Sequence, residues 1–449
     1  MFESRHAVPA FLAGALLTLV IRETFFRPRE IKDSSKEDGV PRKEQDAIAA
    51  GIESTIGNTP LFIIKSLSEI TGCTIMAKAE FMNGAGGSPK DRVALSIIRS
   101  AEEAGLLTPH SGDTIYEGTV GSTGISLATL CRARGYLAHI CMPSDQAMEK
   151  SNLLLKLGAV VERVKPAPIV DQEHFVNRAR NLAVEHTANP AKRGRGFFAN
   201  QFETEANWRA HYEGTGPEIF DQTKGNIDAF VAGAGTGGTI SGVAMFLKSK
   251  KPTVKIVLAD PQGSGLYNKI KHGVMFHPQE REGTRRRQQV DTMIEGIGLS
   301  RSTANFEVGR EVIDDAVKVT DVQAMAMARW LVEKDGIFIG SSSAVNCKFR
   351  NFYIVTKRSF LPQGVAAVQT ALTLGPGQCV VTVLCDSGTR HLSKFWAQAG
   401  DIGGTAGTRI EDFLPPFPRR SDLCRCYVAP NSPSSESLCA PLPPASKPT

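Results

Sequence analysis

Residues 229–239 read Ala-Phe-Val-Ala-Gly-Ala-Gly-Thr-Gly-Gly-Thr, an apolar run followed directly by a glycine-rich turn. The run Ala229–Ala232 predicts a buried strand, and the segment from Ile240 to Lys248 predicts a helix. Glycines let a backbone approach an anion closely, and a helix N-terminus carries partial positive charge, so this turn can cradle a phosphate. Its spacing matches neither the dinucleotide-binding pattern nor the P-loop. The stretch predicts an α/β fold with a phosphate site of another kind.

Similar alternation of strand and helix extends through most of the chain. Further β-type runs are Ile115–Glu117, Ala138–Met142, Lys255–Ala259 and Cys379–Leu384. Such alternation is typical of α/β proteins with largely parallel sheets. We expect one globular region over residues 48–399, a charged linker over 29–47 and a disordered tail rich in Pro and Ser over 400–449.

Residues 1–28 hold a hydrophobic segment that predicts an anchor or a targeting sequence. Ala7 to Ile21 is an almost continuous apolar run, with Arg5 before it and Arg22, Arg27 and Arg29 after it. Fifteen residues are short for a span of about 20, but Arg22 can snorkel along the helix and extend it. We expect a membrane anchor with the following domain in the cytosol; a cleaved targeting segment and a buried or disordered end stay open.

Composition excludes several classes of protein. The net charge of +6 is mild and partly clustered, so we expect no nucleic-acid partner. The nine cysteines are scattered, with neither a zinc-ligand spacing nor a disulfide framework. We therefore predict no metal site and a reducing compartment.

Two more loops carry chemical groups next to predicted helices. In Asn83-Gly-Ala-Gly-Gly-Ser-Pro-Lys90-Asp-Arg92, a lysine stands at the start of a helix, where the dipole favours its neutral, nucleophilic form. In Gly118-Thr-Val-Gly-Ser-Thr-Gly124, backbone amides and hydroxyls before the helix from Ile125 suit an anion such as a carboxylate. Taken singly, the first loop also fits a solvated lysine and the second a helix cap.

Together these loops resemble the cysteine synthase and cystathionine β-synthase family of fold-type II enzymes, which depend on pyridoxal phosphate (PLP). The resemblance spans about residues 52–396, and its motifs occur in the family's order. Besides the three loops they include Ile56-Gly-Asn-Thr-Pro-Leu61, Gln201-Phe202, Glu295-Gly-Ile-Gly298, Gly340-Ser-Ser-Ser343 and Asp386-Ser-Gly388. The resemblance implies two three-layer α/β domains with the active site between them. A smaller mobile domain, about 86–200, would be inserted in the larger one.

The resemblance also implies a role for each motif. Lys90 would form the internal aldimine with PLP and act as the catalytic base. The other implied cofactor contacts are Ser122, Gly235, Thr236, Gly237, Gly238, Thr239 and Ser342, with Ser343 as an alternative to Ser342. The implied substrate contacts are Thr119, Val120, Gly121, Thr123, Gln201 and Gly296. An uncharged serine at the pyridine nitrogen favours chemistry at the β-carbon.

The chain departs from the family at two points. Ser122 and Val120 stand where the family has asparagine and serine, which puts the substrate in question. Lys348 to Gly364 separates pieces that the family joins directly, and we interpret it as an insertion, either a surface loop or a segment that is not translated. No tandem regulatory module follows Asp386 and no haem-binding region precedes the domain, so cysteine synthases are the nearer relatives.

By this resemblance we expect cysteine formation from O-acetyl-L-serine, or a related β-substituted alanine, and sulfide through an aminoacrylate intermediate, in a homodimer. A serine or threonine deaminase and a membrane-tethered PLP-binding protein with little turnover are the alternatives. Short anchors with basic flanks are similar to those of the mitochondrial outer membrane. The endoplasmic reticulum membrane, or the mitochondrial matrix after cleavage, stays open.

Overall fold

The computed structural model describes residues 48–146, 148–275, 292–347 and 366–400. They contain two β-sheets and the helices that cover them, all within one compact unit that begins at Ala49. The strands are β1 (Leu61–Ile63), β2 (Thr74–Ala79), β3 (Thr114–Gly118), β4 (Leu137–Pro143), β5 (Val160–Val164), β6 (Gly196–Phe198), β7 (Ala229–Ala232), β8 (Lys255–Pro261), β9 (Asp315–Val319) and β10 (Cys379–Leu384). The α-helices are α1 (Lys65–Thr71), α2 (Lys90–Glu103), α3 (Ser122–Arg134), α4 (Met148–Lys156), α5 (Phe175–Ala188), α6 (Glu205–Ala210), α7 (Gly216–Gln222), α8 (Gly238–Lys250), α9 (Leu266–His272), α10 (Ala304–Glu307), α11 (Asp321–Asp335), α12 (Ser341–Cys347), α13 (Ala367–Leu374) and α14 (Ala397–Ala399).

The larger sheet has the strand order β1-β2-β10-β7-β8-β9, and the smaller sheet has the order β5-β4-β3-β6. Every pairing is parallel except that of β1 with β2. The smaller sheet comes from one continuous stretch between β2 and β7. The larger sheet takes β1 and β2 from before that stretch and β7 to β10 from after it, and the two parts meet where β10 pairs with β2.

Both sheets are buried on both faces, which is why their strands are apolar at successive positions. In β7, Ala229 and Val231 belong to one core cluster, whereas Phe230 and Ala232 belong to another on the opposite face. In the smaller sheet, Ile140 and its neighbour Cys141 likewise point into different clusters. This is the three-layer α/β arrangement that the sequence predicted.

The predicted strands are confirmed, and Ala229–Ala232 and Cys379–Leu384 match the observed limits. Two helices begin earlier than predicted: α3 at Ser122 instead of Ile125, and α8 at Gly238 instead of Ile240. Gly124 lies inside α3. A Cβ at this position would press on Thr119, Ile140 and Leu154, so the tight packing of the helix favours glycine here. Close packing therefore overrides the loop that the local glycine content predicts.

Several predicted segments lie outside the described residues: the N-terminal segment 1–28, the linker 29–47, the insertion 348–364 and the tail beyond Gly400. Among the residues that the structure does describe, no helix is both long enough and apolar enough to span a membrane.

Candidate active site

A cavity of about 1060 Å³ lies where loops at the carboxyl ends of strands from both sheets face each other. Thr119 follows β3, Gly233 follows β7 and Cys385 follows β10, and all three line this cavity. Ligands of parallel α/β proteins bind at this end of the strands. Most of the predicted site residues line this cavity, although some lie more than 200 positions apart in sequence.

Lys90 is the first residue of α2 and lines the cavity. The preceding loop is fixed by Asp91, whose Oδ2 accepts hydrogen bonds from the Gly86 and Gly87 amides at 2.7 and 2.8 Å. Its Oδ1 accepts from Ser126 Oγ at 2.5 Å. Asp91 therefore ties the lysine loop to α3 and sets the position from which Lys90 enters the cavity.

The environment of Lys90 favours its neutral amine. Burial lowers the pKa of Lys90, opposed by the negative charge that Cys385, Asp386 and Glu80 can carry. No group in the described part of the chain hydrogen-bonds its Nζ. A desolvated amine without a partner is a good nucleophile.

A buried ion-pair network that the sequence analysis missed anchors the same helix. Arg92 Nε donates to Glu80 Oε2 at 2.8 Å, and another Arg92 nitrogen donates to Glu218 Oε1 at 2.7 Å. Lys78, which is fully buried, also pairs with Glu218 at 2.6 Å. The partners in each ion pair lie 12 to 140 residues apart in sequence, so no local sequence pattern predicts the network. The network fixes α2 against the larger sheet two residues after Lys90.

The glycine-rich loop after β7 packs so closely that side chains are excluded. A Cβ at Gly235 would lie 2.1 Å from the Gly296 carbonyl oxygen, and one at Gly237 would lie 2.6 Å from Phe306 Cα. Gly237 also has φ of +92°, a conformation that favours glycine. Within the described residues, the amides of Gly235, Thr236 and Gly237 have no protein acceptor. They precede the N-terminus of α8 and are available to an anion.

Two further residues that the sequence analysis did not assign to the site hold the hydroxyls of this loop. Asn207 Nδ2 donates to Thr236 Oγ1 at 2.9 Å and to the Gln201 carbonyl at 2.6 Å. His211 Nε2 lies 3.1 Å from Thr239 Oγ1. Burial lowers the pKa of His211 to about 3, so the imidazole is neutral. Both residues lie beyond the motif that contains Gln201, on segments to which the sequence analysis assigned no chemistry.

The loop after β3 and Gln201 form one hydrogen-bonded unit. Thr123 Oγ1 donates to Gln201 Oε1 at 2.5 Å, and Gln201 Nε2 donates to Glu117 Oε1 and to the Gly118 carbonyl, both at 3.2 Å. Burial raises the pKa of Glu117 to about 8 against the hydrogen bonds from Gln201. Near pH 7 this carboxyl is therefore largely neutral and does not repel an anion bound at the loop.

The remaining predicted substrate residues lie on the same loop and opposite it. Thr119, Val120 and Ser122 line the cavity, and so does Gly296 on the larger-sheet side. Gly121 has no surface on it: a Cβ there would meet the aliphatic part of Lys150 at 3.1 Å. Val120 packs against an apolar cluster beside the smaller sheet.

Ser342 and Ser343 of the motif Gly340-Ser-Ser-Ser343 lie in different environments. Ser342 lines the cavity, whereas the neighbouring Ser343 is fully buried and its Oγ accepts a hydrogen bond from the Cys385 amide at 2.8 Å. This geometry favours Ser342 for contact with a ligand. Gly238 faces away from the cavity, because a Cβ there would lie 2.0 Å from Asn207 Oδ1.

These residues fit PLP. The free amides of the Gly235–Gly237 turn suit its phosphate, the uncommitted amine of Lys90 suits its aldehyde, and Ser342 supplies a hydroxyl for its ring. An α/β fold with such a site between two sheets defines a PLP-dependent enzyme of the fold-type II class.

Comparisons with known proteins agree with this class. Residues 52–350 match the family model described as pyridoxal-phosphate dependent enzyme. Cysteine synthase 2 of Emericella nidulans is 63% identical over 428 residues, covering 90% of this chain and 96% of that protein. The Saccharomyces cerevisiae protein named "Putative mitochondrial cysteine synthase" is 52% identical over 368 residues, covering 82% and 88%. The crystal structure of O-ureido-L-serine synthase superposes with a TM-score of 0.64 at 29% identity, covering 80% of this chain and 98% of that one.

The chain belongs to the cysteine synthase family of PLP-dependent enzymes. The identities to cysteine synthases extend over most of its length, so the family assignment includes both sheets and the loops between them.

Proposed function

We propose that this enzyme forms L-cysteine from O-acetyl-L-serine, or a closely related β-substituted alanine, and sulfide by replacing the β-substituent. The observation that carries the proposal is the position of Lys90, a half-buried amine without a partner among the described residues, in the same cavity as the Gly235–Gly237 amides and the Thr123–Gln201 pair. The cysteine synthases at 52% to 66% identity support the choice of product.

In this proposal different residues of the chain bind the cofactor and remove the substrate proton. The amides of Gly235 to Gly237 and the hydroxyls of Thr236 and Thr239 hold the phosphate, while Ser342 offers an uncharged hydroxyl to the ring nitrogen. When bound, PLP supplies an electron sink for charge that develops at the substrate's α-carbon. Lys90 would hold the cofactor, and its free amine would remove the α-proton of the substrate with Nζ.

The substrate's carboxylate would lie against the loop from Thr119 to Thr123. Gln201 fixes that loop through Thr123, and the largely neutral Glu117 behind it leaves the local charge favourable for an anion. Ser122 retains one hydroxyl where the family has an asparagine. We therefore infer that the cofactor and the amino acid still bind although Val120 and Ser122 differ from the family's residues.

The test is the absorption spectrum of the purified holoenzyme during addition of O-acetyl-L-serine and then sulfide, with cysteine measured in parallel. We expect a PLP band that shifts with the amino acid, returns with sulfide and accompanies cysteine formation. Pyruvate and ammonia from serine or threonine would instead indicate a deaminase. A PLP band that responds to none of these substrates would favour the binding protein with little turnover.

We also propose that residues 1–28 anchor the enzyme to a membrane, most simply the mitochondrial outer membrane, with the catalytic region in the cytosol. The apolar run Ala7–Ile21 and its basic flanks support this proposal. Alkaline extraction and protease treatment of isolated mitochondria test it. An anchored enzyme stays in the membrane pellet after extraction, and protease added to intact mitochondria cuts its catalytic region. Release into the supernatant would contradict anchoring.

We also propose that the enzyme is a homodimer. Light scattering tests this, because a dimer would show twice the mass of the chain.

A further inference from the structure

Three side chains with metal-binding groups lie together on one face of the smaller sheet. His139 and Cys141 are two positions apart on β4, so both point to the same face, and Glu162 is paired with Cys141 on the neighbouring strand β5. One ligand atom of each residue lies within 4.8 Å of the other two. None of the three residues lines the cavity that holds Lys90, so the cluster is separate from the candidate active site.

The His139 imidazole is held in a position that suits a metal ligand. Its ring stacks on Tyr116 with 4.9 Å between the ring centroids. Its buried Nε2 has no hydrogen-bond partner among the described residues, although Glu162 Oε2 is only 3.5 Å away. Two ligand atoms that bind one tetrahedral zinc ion are about 3.3 Å apart, which is close to this distance. Burial lowers the pKa of His139, so the imidazole is neutral at pH 7, the form that binds metal.

The Glu162 carboxylate is oriented by a residue of α5. Arg178 Nε donates to Glu162 Oε1 at 2.8 Å, which leaves Oε2 on the side of His139. Ligating carboxylates in metal sites are commonly oriented by such hydrogen bonds from residues outside the ligand set. The side chains of His139 and Glu162 are 17% and 32% exposed. An ion can therefore enter from solvent and keep a water molecule as its fourth ligand.

The Cys141 thiol indicates which kind of ion the cluster suits. Cys141 is fully buried and forms no disulfide. Calcium and magnesium prefer oxygen ligands alone, whereas zinc accepts nitrogen, sulfur and oxygen together. Burial raises the pKa of the Cys141 thiol to about 12, so zinc binding would release the thiol proton to solvent. The charges of Zn²⁺, one thiolate and one carboxylate cancel, which lowers the cost of burying the ion.

We propose that His139, Cys141 and Glu162 bind a zinc ion that joins β4 to β5. The cysteine spacing predicted no metal site, because one cysteine and two residues of other types on neighbouring strands form no zinc-ligand motif in the sequence. The Cys141 carbonyl accepts a hydrogen bond from the Thr119 amide at 3.0 Å. Zinc would therefore stabilise the smaller sheet next to the start of the substrate loop. The zinc site is independent of the reaction that the enzyme catalyses.

The test uses the full-length holoenzyme, stripped of metal with a chelator and then titrated with Zn²⁺ in competition with a chromophoric chelator. We expect one strongly bound zinc ion per chain, with a dissociation constant below about 1 µM. Co²⁺ in place of Zn²⁺ should give the d–d bands of a tetrahedral site at wavelengths longer than those at which PLP absorbs. A wild-type protein that binds no zinc in this range, or binds Co²⁺ only with an octahedral spectrum, would overturn the proposal.

Two variants locate the bound ion. Cys141→Ser should lower the zinc affinity by at least about 100-fold, and Glu162→Gln, at a partly exposed position that does not endanger folding, by at least about tenfold. Cys131→Ser removes an equally buried thiol outside the cluster, and Glu185→Gln removes the other carboxylate beside Arg178. Both control variants should bind zinc as the wild type does. Wild-type affinity in Glu162→Gln, or equal losses in the variants and their controls, would contradict a zinc site at this cluster.

Discussion

Lys150 Nζ lies 2.6 Å from Glu295 Oε2, and this buried ion pair joins the two sides of the cavity. Lys150 belongs to α4, between two strands of the smaller sheet, and its aliphatic chain lies against Gly121 of the substrate loop. Glu295 directly precedes Gly296 on the opposite side. Burial alone would raise the pKa of Glu295, but His391 and Lys150 hold it at about 2. The Glu295 carboxyl is therefore ionised near pH 7, and the ion pair ties the loop to the larger-sheet side of the cavity.

Lys150→Met should weaken binding of the amino-acid substrate more than it slows turnover. Without the ion pair the loop loses its tie to Glu295, so we expect KM for O-acetyl-L-serine to rise about tenfold while kcat changes less than about threefold. Steady-state kinetics measure both constants. Lys156→Met, at the exposed end of the same helix, is the control and should behave as wild type. A Lys150 variant whose kcat falls while KM is constant would contradict a role in loop position.

Lys90→Ala should abolish turnover because the amine that carries the cofactor and removes the α-proton is lost. We expect activity to fall by at least about 10³-fold, together with the absorption band of lysine-bound PLP. Lys65→Ala is a matched control, since Lys65 is also the first residue of a helix but is exposed and outside the cavity. Retention of the band in the Lys90 variant would disprove the assignment.

Thr123→Val tests the link between the substrate loop and Gln201. Loss of the 2.5 Å hydrogen bond leaves the buried Gln201 Oε1 without its donor, so we expect substrate affinity to fall about tenfold. Substrate titration of the PLP absorbance gives the affinity directly. Thr129→Val on the same helix removes only a hydroxyl that bonds to the Ile125 carbonyl, and it should leave affinity intact. Equal effects of the two variants would show that only helix stability is involved.

Gly235→Ala should weaken cofactor binding. The new Cβ would lie 2.1 Å from the Gly296 carbonyl oxygen, so the phosphate loop must shift. We expect the dissociation constant for PLP, measured by titrating the apoenzyme, to rise about tenfold or more. Gly51→Ala serves as the control, since its Cβ would contact only the flexible side chain of Glu53. Wild-type affinity in the Gly235 variant would argue against this turn as the phosphate site.

His391 should make stability depend on pH. Burial alone would lower its pKa, but Asp386 at 3.0 Å and Glu295 at 3.4 Å raise the pKa of His391 to about 9. The ordinary value is about 6.5, so the bound proton stabilises the fold fully below pH 6.5 and this contribution is lost as pH rises through 9. We expect a loss of the order of 3 kcal/mol.

Urea unfolding of the holoenzyme at pH 6 and pH 9.5 measures this loss. His391→Asn should reduce the difference between the two pH values by about 3 kcal/mol, because the proton that His391 binds in the folded protein is then missing. His110→Asn, at an exposed histidine, should leave the difference as in the wild type. The comparison also cancels the titration of Glu117, whose pKa of about 8 lies in the same interval. An equal pH difference in all three proteins would show that His391 is not its source.

Much of this protein follows from local sequence. The apolar strands β7 and β10 and the glycine turn after β7 are specified by neighbouring residues, because period, glycine content and helix starts are local properties. The motif order identified the family, and hence PLP, without any coordinates, and it predicted Lys90 as the reactive lysine. The early starts of α3 and α8 escaped prediction, since long-range packing decides whether glycines and hydroxyls join a helix.

Only the tertiary structure decided which distant residues are in contact. Lys150 and Glu295 are 145 positions apart, and Arg92 meets Glu218 across 126, so no spacing rule connects them. Ser342 and Ser343 are equivalent as sequence, and only burial distinguishes the one that faces the cavity. The sequence by itself thus determined the class of fold and predicted the reactive lysine, because short motifs carry the signal for both. The shape of the cavity and the ion pairs beside it depend on how the two sheets bring remote segments together, which is a property of the packed chain.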